Sequence, residues 1–208
     1  MPLVIATKNP GKVEELALLL PPEIRLLTAG DLGIALPEET GATYLENARL
    51  KAHAVAQAGY PALADDSGLE VDALQRQPGV RSARYAGEAA SDDENNTLLL
   101  RNLHNVPDTA RRARFVSVVC LVLPNGDEFC GVGTVEGTIT HAPRGSLGFG
   151  YDPLFEIDDP QLPALTGHTF AEIPTHEKNR VSHRARAVHD VLRQLDARSL
   201  RLASLTGD

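Results

Sequence analysis

Apolar residues recur along the chain with two different periods, and the switches between them mark its elements. Leu3, Val4, Ile5 and Ala6 form a short apolar run that predicts a buried strand. Residues 7–12 follow as a loop of turn formers. From Val13 the spacing is helical, with Val13, Leu16, Ala17 and Leu20 at i, i+3, i+4 and i+7, until Pro21–Pro22 stops it. Thr43 and Glu46 have capping-box spacing and open a second helix, with Leu45, Ala48, Ala52 and Val55 on its stripe. Gly59–Tyr60–Pro61 ends that helix, and Ala62–Leu63–Ala64 predicts a strand that stops at Asp65–Asp66–Ser67–Gly68, where Leu69–Glu70–Val71 can resume it.

Residues 77–90 show no period and predict a surface loop. Ser91 and Glu94 form another capping box, for a helix through Leu98, Leu99 and Leu103. Residues 114–123 and 128–140 are β-rich runs on either side of Pro124–Asn125–Gly126–Asp127, which predicts a hairpin. A glycine-rich loop follows at 145–152. The last helix is expected over 182–195, with Ala185, Val188, Val191, Leu192 and Leu195 on one face. Strands and helices alternate in both βα and hairpin order, so the expected fold is α/β, a mixed sheet with flanking helices.

The length, 208 residues, fits one compact domain or one domain in two lobes, spanning residues 1–208. Twenty Lys and Arg stand against 28 Asp and Glu, a net of −8. That balance disfavours a coat for duplex DNA but leaves room for a local basic pocket. No apolar run is long enough for a transmembrane helix. The apolar start is too short for a signal-peptide core, so no membrane is expected as partner and the expected location is cytoplasmic. With Asn125–Gly126 as a two-residue loop, Cys120 faces Gly131 and Cys130 faces Leu121. The two cysteines are then expected as reduced thiols on opposite sheet faces.

Three segments carry candidate chemistry. Thr7–Lys8–Asn9–Pro10–Gly11–Lys12 joins a strand to a helix N-terminus, where backbone N–H groups and the helix dipole attract an anion and Lys12 adds a full charge. The spacing is not that of a Walker A loop, and a plain βα turn with exposed lysines has the same composition. Asp65 and Asp66 point to opposite sides if strand geometry continues, so one can meet a ligand while the other is anchored. Carboxylate oxygens of this kind suit Mg²⁺, although Asp-Ser-Gly is also a common turn. Glu38 and Glu39 offer a second carboxylate source or a solvated acidic loop, Glu46 reads as a helix cap, and Lys51 lies on a helical ladder. The third segment pairs Gly148–Phe149–Gly150–Tyr151–Asp152 with Lys178 and Ser182–His183–Arg184. Aromatic rings between glycines can face a planar base, and basic residues in a helix's first turn oppose its dipole, a cost that an anionic or polar ligand would offset. No H-E-x-x-H, C-x-x-C or G-x-S-x-G is present, which disfavours zinc and serine-hydrolase chemistry.

Taken in order, these segments resemble the inosine triphosphate pyrophosphatase family. The similarity runs from Ala6 to about Ala187. It rests on residues 6–12, Glu39–Thr40–Gly41, Glu46–Asn47–Ala48 with Lys51–Ala52, residues 64–69, Pro78–Gly79–Val80 with Ser82–Ala83–Arg84–Tyr85, residues 148–153, and Glu177–Lys178 with Ser182–His183–Arg184. The resemblance implies a curved mixed sheet in two lobes with the active site in a central cleft. It also implies a homodimer, and hydrolysis of ITP, dITP and XTP to monophosphate and pyrophosphate. It assigns the triphosphate to Thr7, Lys8, Asn9, Pro10, Gly11, Lys12 and Lys51. Mg²⁺ goes to Glu39 and Asp66, with Asp66 as general base. Ser67 seats the nucleotide, and Phe149, Gly150, Tyr151, Asp152, Lys178, His183 and Arg184 serve the base. Rival readings are a Maf-type pyrophosphatase with another base preference and a nucleotide sensor without catalysis. An RNA-binding protein is a weaker third, given the net charge.

Overall fold

The computed structural model describes residues 1–202 and Leu205, so positions 203, 204 and 206–208 of the expected domain lie outside the description. The strands are β1 (Leu3–Ile5), β2 (Leu26–Thr28), β3 (Ala62–Val71), β4 (Gln77–Pro78), β5 (Arg112–Val122), β6 (Glu128–Ile139) and β7 (Phe155–Ile157). The α-helices are α1 (Pro10–Leu19), α2 (Tyr44–Ala56), α3 (Asp92–Asn102), α4 (Thr175–Val181) and α5 (His183–Ala197). Among the described residues seven strands form one sheet in the order β2-β1-β3-β5-β6-β7, with β4 pairing β3. β1 is parallel to β2 and β3, whereas the β3–β4 and β6–β7 pairs are antiparallel. The expected mixed α/β sheet is therefore observed.

The chain divides into two compact units. The first comprises Met1–Asp66, Ser117–Gly133 and His183–Asp208, and the second Ser67–Val116 and Thr134–Ser182. Each has its own apolar core. In the first, Leu3, Ile5, Leu63, Val119, Leu121 and Phe129 of the strands meet Leu16 of α1 and Val188, Val191 and Leu195 of α5. In the second, Leu99 of α3 packs with Phe115, Phe155 and Phe170, whose rings lie 4.5–5.9 Å apart centre to centre.

Three local expectations are corrected. α1 starts at Pro10 rather than Val13: Asn9 Oδ1 caps the helix by accepting the Lys12 N–H at 3.1 Å, and proline is well suited to a first helical position. β3 runs unbroken through Asp65–Gly68, because Asp65, Asp66 and Gly68 are buried by tertiary neighbours that local turn propensity does not register. Residues 77–90 are not a plain loop: β4 pairs with β3, a 3₁₀ segment spans Gly79–Arg84, and Ser82 is buried. The last helix, expected over 182–195, is observed as α5; the short α4 precedes it, and the extended backbone of Ser182 divides the two.

The cysteines are also corrected. Leu123 and Asp127 close the hairpin, with Leu123 N–H bonded to the Asp127 carbonyl at 2.9 Å, so Pro124–Asn125–Gly126 is a three-residue loop. Gly126 takes the positive φ (93°) that such a loop requires. Three residues back along each strand, Cys120 stands opposite Cys130, and the two form a disulfide with Cα atoms 4.2 Å apart. One extra loop residue thus shifts the register by one and puts both sulfurs on the same face.

Candidate active site

In the first unit, the C-terminal end of its β3 segment carries a dense set of charges. Asp65 is wholly buried. Its Oδ2 pairs with Lys12 Nζ at 2.7 Å, its Oδ1 accepts the Ser117 hydroxyl at 2.5 Å, and Arg184 approaches at 3.4 Å. Arg184, 1% exposed, also pairs with the buried Glu15 of α1. Burial alone would raise the Asp65 carboxyl, but Arg184 and Lys12, with hydrogen bonds from Lys12 and Ser117, hold it well below the usual range.

Asp66 turns to the other side of the strand, as alternation requires. There Asn47 of α2 donates to its Oδ2 at 2.9 Å. Burial pushes its carboxyl up and the charge of Glu39 adds to this, while Lys12, Lys51 and Asn47 only partly offset them. Lys51, 4% exposed, is drawn in by two partners: Glu39 Oε1 at 2.5 Å and the Asp65 carbonyl at 2.7 Å. Glu38 is exposed, and Glu39 is the carboxylate of the pair that meets Lys51.

Residues 7–12 wrap the start of α1. Thr7 Oγ1 accepts the Asn9 N–H at 3.2 Å, Asn9 caps the helix, Gly11 is half-buried, and Lys8 and Pro10 are exposed. His183 is buried at the first position of α5. The close fit of α5 on β6 comes from glycine: a Cβ on Gly133 would fall against the His183 carbonyl oxygen, and one on Gly131 against that of Ala187.

The second unit holds the other predicted group. Asp152, 2% exposed, accepts Lys178 Nζ at 2.5 Å and the Phe149 N–H at 3.0 Å. The Lys178 ammonium lies 5.0 Å from the Phe149 ring centre and 5.6 Å from that of Phe170, within cation–π range. Tyr151 donates its hydroxyl to the Ser82 carbonyl at 2.8 Å, and burial pushes its phenol pKa up. Gly150 sits at φ 62°, and Ser67 is half-buried in β3.

Sequence reasoning missed Glu15, Asn47 and Ser117. Glu15 had a signal: it lies three residues after Lys12 and beside Leu16 of the apolar stripe, where an acid needs a buried partner. Ser117, inside a β run, had none. Among the described residues no group of three or more His, Cys, Asp or Glu forms a ready metal cage. The pair available to a cation is Glu39 and Asp66. Two hard carboxylates that raise each other's energy are a donor set that a divalent ion would relieve, so the residues fit one.

The profile of the Ham1 family matches residues 3–194. The chain belongs to the Ham1 family. A Thermus thermophilus member named dITP/XTP pyrophosphatase is 51% identical over 194 residues, 92% of this chain and 90% of its own. One from Elusimicrobium minutum with the same name is 46% identical, over 94% of this chain and all of its own. The solved Ham1 protein of Coxiella burnetii superposes with a TM-score of 0.82 at 39% identity, covering 95% of this chain and 99% of that one. The Staphylococcus aureus Ham1 structure gives 0.81, also at 39% identity, over 95% and 100%. Among the described residues no helix is long and apolar enough to cross a membrane.

Proposed function

We infer that this chain hydrolyses non-canonical purine nucleoside triphosphates, dITP, XTP and ITP, to the monophosphate and pyrophosphate, and so removes them from the nucleotide pool. The observation that carries this is the pairing, on a Ham1 chain, of a buried carboxyl, Asp66, whose pKa burial raises, with two lysines whose charges act on it, Lys12 and Lys51. Water attacks the α-phosphorus. The new P–O bond forms as the bond to the pyrophosphate oxygen breaks, and the water's proton passes to Asp66. Lys12, Lys51 and the N–H groups at the start of α1, contributed by residues 7–12, balance the phosphate charge.

Nucleotide pyrophosphatases generally need a divalent metal, and we assign Mg²⁺ to Glu39 and Asp66. When bound, the ion shields phosphate charge and lowers the pKa of a water. Ser67 seats the nucleotide. Phe149, Gly150, Tyr151, Asp152 and Lys178 hold the base, with aromatic and cationic faces suited to a planar oxopurine. His183 and Arg184 are assigned to the same task. Arg184 is buried and fixed by Glu15 and Asp65, so it serves from a set position. A homodimer is carried over from the resemblance, and sedimentation of the purified chain tests it. The substrate places the chain where the nucleotide pool is, in the cytoplasm.

Steady-state hydrolysis of dITP, XTP, ITP, ATP and GTP, with Mg²⁺ and with EDTA, tests the reading. Pyrophosphate from the oxopurine substrates, lost with EDTA, supports it. Orthophosphate and a diphosphate would place attack at the γ-phosphorus and overturn it.

A further inference from the structure

Helix α3 grips the loop that carries Phe149. Its Asp92 Oδ2 accepts the Gly150 N–H at 2.6 Å, and its Asn96 Nδ2 donates to the Gly150 carbonyl at 3.0 Å. The two side chains are four residues apart on one helix, so they leave the same face one turn apart. Between them they hold the peptide before Gly150 and the peptide after it. Gly150 has no side chain and stands at φ 62°, a conformation that glycine enters and leaves at little cost. Fixing both flanking peptides therefore replaces the restraint that a side chain would supply, and it sets the direction in which Phe149 and Tyr151 leave the backbone.

Asp92 is available because α3 does not need it as a cap. Ser91 and Glu94 already form the capping box, with Ser91 Oγ accepting the Glu94 N–H at 3.2 Å and Glu94 Oε2 accepting the Ser91 N–H at 2.8 Å. Two further anchors flank the gripped residue. Asp152 holds the Phe149 N–H, and Ser82 holds the Tyr151 hydroxyl. The α3 pair is the one that fixes Gly150 itself.

We propose that Asp92 and Asn96 are positioning residues for base recognition, holding the Gly150 backbone so that the Phe149 ring is presented beside Lys178. The inference rests on the reading that residues 149–152 and Lys178 hold the base. Neither residue touches the reacting phosphates in that reading, so their loss acts on KM and spares kcat.

The test is dITP kinetics on Asp92→Ala, Asp92→Asn, Asn96→Ala, Phe149→Ala and the double variant Asp92→Ala/Phe149→Ala, with hydrogen exchange at the Gly150 amide. Asp92→Ala is expected to raise KM about tenfold, the scale of one lost hydrogen bond to a charged group. Asp92→Asn, which keeps an acceptor, restores most of the loss, and kcat stays within about twofold in both. Asn96→Ala raises KM in the same direction. Gly150 exchange quickens in Asp92→Ala. In the Phe149→Ala background the Asp92 substitution adds little, because its effect passes through that ring. Unchanged KM in Asp92→Ala and Asn96→Ala, or a full additive loss in the double variant, overturns the proposal while leaving the base-side reading intact. Unchanged KM in Phe149→Ala itself overturns that reading and the proposal with it.

Discussion

Asp65 and Asp66 are consecutive residues of one strand, and their carboxyls are shifted in opposite directions. Burial acts on both, but Arg184 and Lys12 overcome it at Asp65, whereas at Asp66 burial and the nearby Glu39 win. Asp65 is thus a charge that the fold requires, and Asp66 one that it carries at a cost. Asp66→Asn is expected to abolish turnover while leaving stability of the metal-free protein unchanged or raised. Asp65→Asn leaves the buried Arg184 and the half-buried Lys12 short of a partner and should cost about 3 kcal/mol or more of stability. Urea denaturation of both variants in EDTA checks the contrast; equal losses would remove the distinction.

Arg184 ties α5 to α1 and β3 through Glu15 and Asp65. Arg184→Ala leaves two buried carboxylates without their shared cation and is expected to cost about 3–5 kcal/mol. Arg184→Lys should recover only part, since an ammonium lacks the planar fork that meets two acids at once. Thermal melts of the two variants decide it, and a lysine variant as stable as the parent would show that charge alone suffices.

The legible parts of this molecule were those written in local pattern. Both capping boxes at Thr43/Glu46 and Ser91/Glu94 appear as read, because each is a contract between neighbours. That Asp65 and Asp66 face opposite sides is also readable, from strand alternation alone. What failed depended on partners far along the chain. The stretch Asp65–Gly68 reads locally as a turn, yet it is strand because Ser117, Lys12, Arg184 and Asn47 satisfy its carboxylates. The hairpin at 124–126 failed by a single residue, because Asn-Gly favours a two-residue loop and the sequence does not reveal that Pro124 joins it. Arg184 reads in sequence only as a base-side residue, since nothing near it announces Glu15.

The Cys120–Cys130 bridge closes a short loop within a hairpin that backbone pairing already holds. Loop-closure entropy for such a span predicts a stabilisation of about 2–3 kcal/mol. The Cys120→Ser/Cys130→Ser variant should therefore melt lower than the oxidised parent and coincide with the parent under dithiothreitol. Thiol labelling of the denatured, unreduced protein should find no reactive cysteine among the two. Two labelled thiols would restore the reduced reading.

Gly133 lets α5 lie against β6 at the turn that begins with His183. Gly133→Ala inserts a methyl group against the backbone of that helix and forces it outward. The expected cost is about 1–3 kcal/mol, with a fall in dITP turnover as His183 and Arg184 shift. Gly59, beyond the end of α2, has open space around its Cβ position but a positive φ of 92°, so Gly59→Ala is strained by backbone alone and should spare turnover. Melting temperature and kcat for the pair separate the two causes. A turnover loss in Gly59→Ala as large as in Gly133→Ala would argue against α5 placement as the reason.

Glu128 of β6 binds two residues of α2: Arg49 Nε and Nη2 approach its Oε1 at 2.7 and 2.6 Å, and His53 Nε2 lies 3.0 Å from its Oε2. Partial burial pushes the carboxyl up, but hydrogen bonds from Arg49 and His53 and their charges outweigh it, so it titrates below its ordinary 4.5. A carboxylate with a lowered folded-state pKa stabilises the fold above its unfolded value and loses that stabilisation as the pH falls through the folded one. Its partners are close to half exposed, so the contribution is small, about 0.5–1 kcal/mol. Glu128→Gln should accordingly be less stable than the parent near pH 7, and the gap should close as the pH drops below 4.5. Added salt should narrow it at neutral pH, because solvent-exposed charges are screened. Urea midpoints across that range, at low and high ionic strength, provide the measurement. A gap that widens in acid would mean that Glu128 is protonated more readily in the folded protein than in the unfolded chain, the reverse of what its cationic neighbours impose.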